Sequence, residues 1–236
     1  MTLKIVALPS PNFNERPGPV DMLVLHYTGM PSAKGALDIL TDGTREKRVS
    51  AHYTLDRDGT FYAHVPEDMR AWHAGVSWWG GRDDVNSRSI GIEIVNPGHE
   101  WGYRDFPKKQ IDALIAMCRG ILRRHPIPAR NVVGHSDIAP GRKVDPGEKF
   151  PWPRLARNGI GLFPRAGVAA VQEGAVAETL RAIGYGVAPE TDKLVEVVLK
   201  EFQRRFRVAQ IDGVADEETR RMLAAVAAAI HPSSSS

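Results

Sequence analysis

The sequence contains only one cysteine, Cys118, among 236 residues. A single cysteine excludes an intramolecular disulfide and any metal site built on several thiolates, so a bound metal would depend on histidine and carboxylate ligands. Cys118 also falls within the apolar stripe of a predicted helix. We therefore expect a buried core thiol rather than a reactive one.

Long apolar runs are also absent. No stretch approaches the roughly 18 to 20 apolar residues that span a bilayer, so we expect no transmembrane segment. The first residues do not form a basic segment followed by a long apolar one, which favours a cytoplasmic protein. A periplasmic or outer-membrane-associated location is the alternative if a signal peptide was removed.

Neither sign of charge is in large excess, since 31 basic and 28 acidic residues leave a net charge of +3. The basic residues are interspersed with acidic ones, so we expect no nucleic-acid partner. The composition, 42% hydrophobic and 25% charged, is typical of a globular protein. The length allows one large domain, or a domain of about 150 residues with a small companion.

Strand and helix patterns alternate in the first two thirds of the chain. An apolar run at 22–28 and an alternating run at 89–95 predict buried strands. Asp58-Gly59 predicts a hairpin turn. Pro107 opens a stripe of apolar residues that predicts a helix ending near His125. These patterns predict an α/β (α+β) domain over residues 1–158, with a mixed central sheet flanked by helices.

The rest of the chain has a different pattern. Residues 159–174 are rich in Gly, Ala and Pro and predict a linker. Three apolar stripes over 175–230 predict a small C-terminal domain of three helices. The serine-rich tail at 231–236 is expected to be disordered.

Two segments carry the residues most suited to chemistry. His26 ends the first buried strand, and a loop rich in Gly and Pro brings together His135, Lys143 and Asp145. Two histidines and one carboxylate form a set that zinc accepts while leaving its fourth position free for water, as in a hydrolytic site. Each histidine alone is more often structural, and the same ligand types also suit iron or manganese.

Five ordered motifs strengthen this interpretation. They are LHYT at 25–28, SAHY at 50–53, AWHAG at 71–75, IGIE at 90–93, and GHSD at 134–137 followed by KVDPG at 143–147. Between about Val20 and Leu155 the chain thus resembles the zinc-dependent N-acetylmuramoyl-L-alanine amidases, the family that includes the peptidoglycan recognition proteins. The resemblance implies that His26, His135 and Asp145 bind zinc.

Further roles follow from the same resemblance together with the strand pattern. Glu93 lies on the strand face opposite the isoleucines, so it can point into a cleft and act as general base, with a solvent-facing carboxylate as the alternative. Lys143 is expected to stabilise the charge that develops on the substrate carbonyl oxygen. Weaker candidates for substrate binding, each with a structural alternative, are His52, Arg70, Trp72 and His73.

The C-terminal helices resemble, more loosely, a three-helix peptidoglycan-binding module. The matching residues are Phe202-Gln203, Asp212-Gly213-Val214 and Glu218-Thr219. A structural appendage without glycan binding is the alternative.

The expected function is therefore zinc-dependent hydrolysis of the amide between N-acetylmuramic acid, or its anhydro form, and L-alanine of the stem peptide. The expected partners are peptidoglycan or muropeptide fragments, and the protein is expected to act as a monomer. A non-catalytic peptidoglycan receptor and a zinc peptidase that cuts within the stem peptide are the alternatives.

Overall fold

The computed structural model describes residues 2–166, 169–187 and 192–230. The predicted disordered tail at 231–236 lies outside these residues, as do positions 167 and 168 of the predicted linker. Within the described parts, the strands are β1 (Ile5–Ala7), β2 (Phe13–Glu15), β3 (Met22–Tyr27), β4 (Tyr53–Leu55), β5 (Phe61–Ala63), β6 (Met69–Ala71), β7 (Trp78–Trp79), β8 (Arg82–Asp83), β9 (Ser89–Ile94) and β10 (Val132–Gly134). The α-helices are α1 (Ala33–Thr41), α2 (Lys108–Arg124), α3 (His135–Ile138), α4 (Trp152–Ala156), α5 (Val176–Ile183), α6 (Asp192–Phe206) and α7 (Glu217–Ile230).

The main sheet has six strands in the order β1-β5-β4-β9-β3-β10. Strand β3 pairs in parallel with both β9 and β10, and β4 is parallel to β9 but antiparallel to β5. Two further pairs, β2 with β6 and β7 with β8, are antiparallel. The predicted α/β class with a mixed central sheet flanked by helices is confirmed.

Strand β3 is buried on both faces, as its continuous apolar run predicts. Leu23 and Leu25 point into a core that α2 completes. Met22 and Val24 point into a second core on the opposite face. His26 continues this second row, because side chains two residues apart share a face of a strand.

Helix α2 covers the first face with the predicted apolar stripe. Ile111, Leu114 and Ile121 are almost fully buried there. Cys118 lies among them with no exposed surface, and burial raises the pKa of its thiol to about 12. Cys118 is therefore a core residue, as predicted. No helix in the described part of the chain has the length and apolar character that a bilayer crossing requires.

The three predicted C-terminal helices are present as α5, α6 and α7. Leu180, Phe202 and Leu223, one from each helix, belong to the same buried cluster as Met22 and Val24 of the sheet. The C-terminal helices thus pack on the sheet face that carries His26. A separate domain with boundaries at 158 and 175 stays a prediction.

The residues that resemble a peptidoglycan-binding module bond to one another. The amide nitrogen of Gln203 donates to Asp212 Oδ1, Val214 O and Thr219 Oγ1, and its oxygen accepts from the backbone of Asp212 and Gly213. Gln203 is fully buried. In this protein the motif therefore fixes the turn between α6 and α7.

Glu67 joins the end of α2 to the sheet. Its carboxylate accepts hydrogen bonds from Tyr53, Arg124 and His125 at 2.6 to 3.0 Å. Burial opposes ionisation of Glu67, but these three donors outweigh it and lower its pKa to about 2. The ionised carboxylate therefore stabilises the folded state at neutral pH.

Replacement Glu67→Gln is expected to cost about 2 kcal/mol of unfolding free energy at pH 7, less than the full pKa shift implies because Arg124 is half exposed. Since the folded pKa lies below the unfolded value, the difference from wild type should be constant above about pH 5 and shrink as the pH falls towards 2. Denaturant unfolding across this range measures it, with the exposed Glu100→Gln as control. A difference that does not change with pH would contradict the assignment.

Candidate active site

The pairing of β3 with its two neighbours brings the predicted site residues together. His26 of β3 is directly opposite Glu93 of β9, so both side chains point to the same face of the sheet. On the other side, Gly134 of β10 is opposite Leu25, and His135 follows at the start of α3. The three residues thus meet at the carboxyl ends of adjacent parallel strands.

Three side-chain atoms converge at this place. His26 Nδ1 and His135 Nδ1 are 3.0 Å apart, and each lies 3.1 Å from Asp145 Oδ2. All three residues are buried. Bonds of 2.0 to 2.1 Å in a tetrahedral site place ligand atoms roughly 3.3 Å apart. The triangle therefore fits a tetrahedral metal ion closely.

The second ring nitrogens fix which atom of each histidine is free to bind a metal. Ser89 Oγ donates to Val85 O at 2.7 Å, so it accepts from His73 Nε2, and His73 Nδ1 in turn accepts from His26 Nε2 at 3.0 Å. His135 Nε2 donates to Ala74 O at 3.0 Å. Both Nδ1 atoms are then unprotonated and carry lone pairs, as metal binding requires.

The electrostatics of the cluster favour a cation. Burial and the neighbouring His135 lower the pKa of His26 to about 4. Burial opposes ionisation of Asp145, but the two imidazoles hold the pKa of its carboxyl far below the usual range. At neutral pH the cluster therefore offers a neutral His26 ring and an ionised carboxylate, the forms in which these side chains bind metals.

Glu93 has an unusual environment. Within the described ranges its Oε2 atom is buried without a hydrogen-bond partner. Burial, with a further contribution from the negative charge of Asp145, raises the pKa of Glu93 well above the usual range, and Lys143 opposes this shift only in part. Glu93 therefore holds a proton more tightly than an exposed glutamate does, a property that suits a group that transfers protons.

A cavity of about 420 Å³ opens over this cluster. Its walls include Glu93, Lys143 and two of the three converging residues, His135 and Asp145. Aromatic and polar residues of the surrounding segments contribute to the rest of the lining. Its lining includes Tyr27, Thr28, Ser50, Trp72, His73, Glu93, His135, Arg142, Lys143 and Asp145.

Comparisons with known proteins agree with this geometry. The sequence profile of the family described as N-acetylmuramoyl-L-alanine amidase matches residues 16–148. This match covers more than half of the chain. The chain belongs to the N-acetylmuramoyl-L-alanine amidase family.

Similar members of the amidase family extend beyond the matched segment. N-acetylmuramoyl-L-alanine amidase AmiD of Escherichia coli K12 is 37% identical over 231 residues, which cover 88% of this chain and 82% of AmiD. A structure of AmiD with the substrate anhydro-N-acetylmuramic acid-L-Ala-D-γ-Glu-L-Lys superposes with a TM-score of 0.79 over 88% of each chain. AmpDh3 of Pseudomonas aeruginosa, at 35% identity, superposes with a TM-score of 0.80 over 92% of this chain and 94% of its own.

Two of the four residues predicted to bind substrate in this amidase do not line the cavity. His52 has no exposed surface, and its ring nitrogens bond to the Gly91 amide and to Arg16 and Met69 O. Arg70 is held by Asp84, Ser87 and Asn14. Both side chains are engaged in structural hydrogen bonds, and substrate binding by either one stays a prediction.

The other two substrate-binding candidates line the cavity. Trp72 donates from Nε1 to Asn14 and is covered by the guanidinium of Arg48 at 5.2 Å. His73 is buried and bonded to His26, so its position is that of a residue that orients the candidate metal ligand. The two tryptophans of β7 differ in exposure: Trp78 is 43% exposed and Trp79 is 3% exposed.

The sequence patterns did not predict two residues that support the candidate metal ligands through a neighbouring group. Gly91 is one, because a Cβ atom there would lie 2.4 Å from the His73 ring. A glycine inside a buried strand signals such a close approach. Arg142 is another: it donates to Ala74 O, the same oxygen that accepts from His135.

Replacement Gly91→Ala is expected to displace His73 and so weaken metal binding at His26, His135 and Asp145 by about tenfold. Competition against a chromogenic chelator measures this affinity. Gly120→Ala is the matched control, since its Cβ would meet only the far ends of two arginine side chains, Arg124 at 3.3 Å and Arg123 at 3.9 Å. Unchanged metal affinity in Gly91→Ala would contradict the role given to His73.

Proposed function

We propose that this amidase carries out its reaction with a zinc ion held by His26, His135 and Asp145. The reaction is hydrolysis of the amide between N-acetylmuramic acid, or its anhydro form, and L-alanine. The observation that supports zinc is the convergence of two imidazole nitrogens and one carboxylate oxygen within 3.0 to 3.1 Å of one another. When bound, zinc supplies a Lewis acid that polarises the substrate carbonyl and lowers the pKa of water.

In this proposal Glu93 moves the proton. It takes one from the attacking water and later gives it to the departing amine of L-alanine, so the same carboxyl serves as base and then as acid. A high pKa suits both steps, because it makes the carboxylate a stronger base and leaves the protonated form populated. The cavity position of Glu93 allows contact with a bound amide.

Lys143 is proposed to stabilise the negative charge that forms on the carbonyl oxygen. Its side chain lines the same cavity as Glu93 and lies two residues before Asp145. The backbone N–H of Lys143 donates to Ala139 O, so its backbone is fixed close to the turn that follows His135. The positive charge of the Lys143 ammonium group then opposes the negative charge that develops on the carbonyl oxygen.

Trp72 is proposed to contact the sugar or the stem peptide. It is partly exposed to the cavity, and its position is fixed by Asn14 and Arg48. AmiD has been solved with an anhydro-muropeptide substrate. We infer that the present chain accepts the same class of fragment. Its monomeric state, its cytoplasmic location and glycan binding by the C-terminal helices stay predictions.

Replacement Glu93→Gln is expected to lower turnover at least about 100-fold while leaving one zinc ion per chain. Metal analysis and release of L-alanine-containing peptide from an anhydro-muropeptide measure the two properties. Glu46→Gln, an exposed glutamate outside the cavity, is the control. A fully active Glu93→Gln enzyme would exclude Glu93 as the base.

Mass spectrometry of muropeptides after incubation tests the reaction itself. An intact stem peptide that begins with a free L-alanine amine is the expected product. Cuts inside the stem peptide would instead indicate a peptidase, and no product at all would indicate a receptor.

A further inference from the structure

The candidate ligands His135 and Asp145 belong to one irregular segment, residues 135–148, which we call the ligand loop. Beyond the single turn of α3 it has no regular secondary structure. Its two ligand positions are tied directly by the backbone bond from Ser136 N to Asp145 O at 2.9 Å. Such a segment needs further contacts to keep two ligands at a fixed separation.

The main buried anchor of the ligand loop is Asp137, which is 1% exposed. Its Oδ2 atom accepts from Gly134 N at 2.8 Å, a bond that fixes the start of α3 and so the backbone of His135. Asp137 has no place in the proposed chemistry. Its negative charge nevertheless has to be compensated, because a buried carboxylate without partners is strongly unfavourable.

The side-chain partners of Asp137 come from the C-terminal region: Tyr185 directly follows α5, and Arg205 lies in α6. Tyr185 donates from its hydroxyl to Oδ1 at 2.6 Å, and Arg205 of α6 donates from Nη1 to Oδ2 at 2.7 Å. The other amino group of Arg205 donates to Val132 O in β10 at 3.1 Å. Arg205 also stacks on the ring of Trp152 at 3.9 Å. One guanidinium therefore holds the strand before His135 and the turn after it.

The preceding residue of α6 holds the other end of the ligand loop. Arg204 donates from Nη1 to Glu148 Oε2 at 2.8 Å. Glu148 also binds His99, which contacts the hydroxyl of Tyr27 in the cavity wall at 2.9 Å. Between these ends the loop lies against the same helix, since a Cβ on Gly141 would come within 2.8 Å of Val197.

We propose that Arg204, Arg205 and Tyr185 are positioning residues that hold the ligand loop in its metal-binding geometry. The C-terminal region then acts on the catalytic centre through the ligand loop, whether or not it also binds glycan. This inference rests on the proposed zinc function of His26, His135 and Asp145.

Two variants test the proposal in the full-length protein. Tyr185→Phe removes one hydroxyl and keeps the ring, which packs on Trp79 and Phe202. Arg205→Lys keeps the charge but cannot reproduce the two-sided contact with Asp137 and Val132. We expect the zinc dissociation constant to rise several-fold in the first and about tenfold or more in the second.

Each variant has a matched control. Tyr53→Phe removes a hydroxyl bonded to Glu67 on the far side of the sheet. Arg207→Lys changes a partly buried arginine whose ion-pair partners, Asp216 and Glu218, both lie in the C-terminal region. These controls lower stability without touching the ligand loop, so they separate loss of positioning from general destabilisation.

The measurements are chelator competition for zinc, the visible absorption of the cobalt-substituted protein, and thermal unfolding of the metal-free protein. Weaker zinc binding and altered cobalt bands in Tyr185→Phe and Arg205→Lys, with both controls within twofold of wild type, would support the proposal. Wild-type zinc affinity in both variants, or equal losses in the controls, would overturn it. A wild-type protein that binds no zinc would instead refute the proposed metal function, and the positioning role with it.

Discussion

The active site depends on the in-register parallel pairing of β3 with β9 and β10. This pairing places His26 opposite Glu93 and brings in His135 after the next strand, so three candidate site residues come from three neighbouring strands. Side chains alternate between the faces of a strand, and a shift of one residue would turn His26 into the apolar core on the α2 face. The core residues Leu23 and Leu25 oppose such a shift, because they would lose their burial. The hydrophobic pattern of β3 therefore specifies the position of a polar site.

A buried polar cluster of this kind is stable only when its members satisfy one another. The line from His26 through His73 to Ser89 ends on a backbone carbonyl, so every proton in it has an acceptor. Gly91 makes the line possible by leaving room for the His73 ring. Glu93 is the member whose Oε2 atom has no hydrogen-bond partner among the residues that the structure describes. That contrast separates the groups that orient the candidate metal ligands from Glu93, the proposed proton carrier.

Local sequence patterns predict the helices and strands of this fold well, but they do not predict which distant side chains bond to one another. The apolar run at 22–28, the alternation at 89–95 and the stripe of α2 are properties of neighbouring residues, and all three elements are observed, each strand ending one residue earlier than predicted. The candidate metal ligands are indicated by the ordered motifs of the family and not by the spacing of the histidines. The structural hydrogen bonds of His52 and Arg70 are not predictable from local sequence, because their partners Arg16 and Asp84 are distant in the sequence or unremarkable in it. No local pattern shows that a histidine is enclosed from every side.

Asp137 illustrates the same limit and also its physical origin. The residues next to Asp137 in the sequence indicate only an ordered loop. The side chains that donate to its carboxylate, Tyr185 and Arg205, lie 48 and 68 residues further along the chain. Taking a carboxylate and a guanidinium out of water costs free energy that their attraction often only offsets, so a buried pair is weak evidence for stability. The geometry of the Asp137–Arg205 pair is nevertheless specific, because each hydrogen bond requires a donor N–H that points at its acceptor oxygen. An apolar side chain at position 137 would allow the ligand loop to slide against α6. The planar guanidinium of Arg205, which donates to both Asp137 and Val132, does not allow such sliding. The position of the C-terminal helices on the sheet is therefore coupled to the distance between His135 and Asp145.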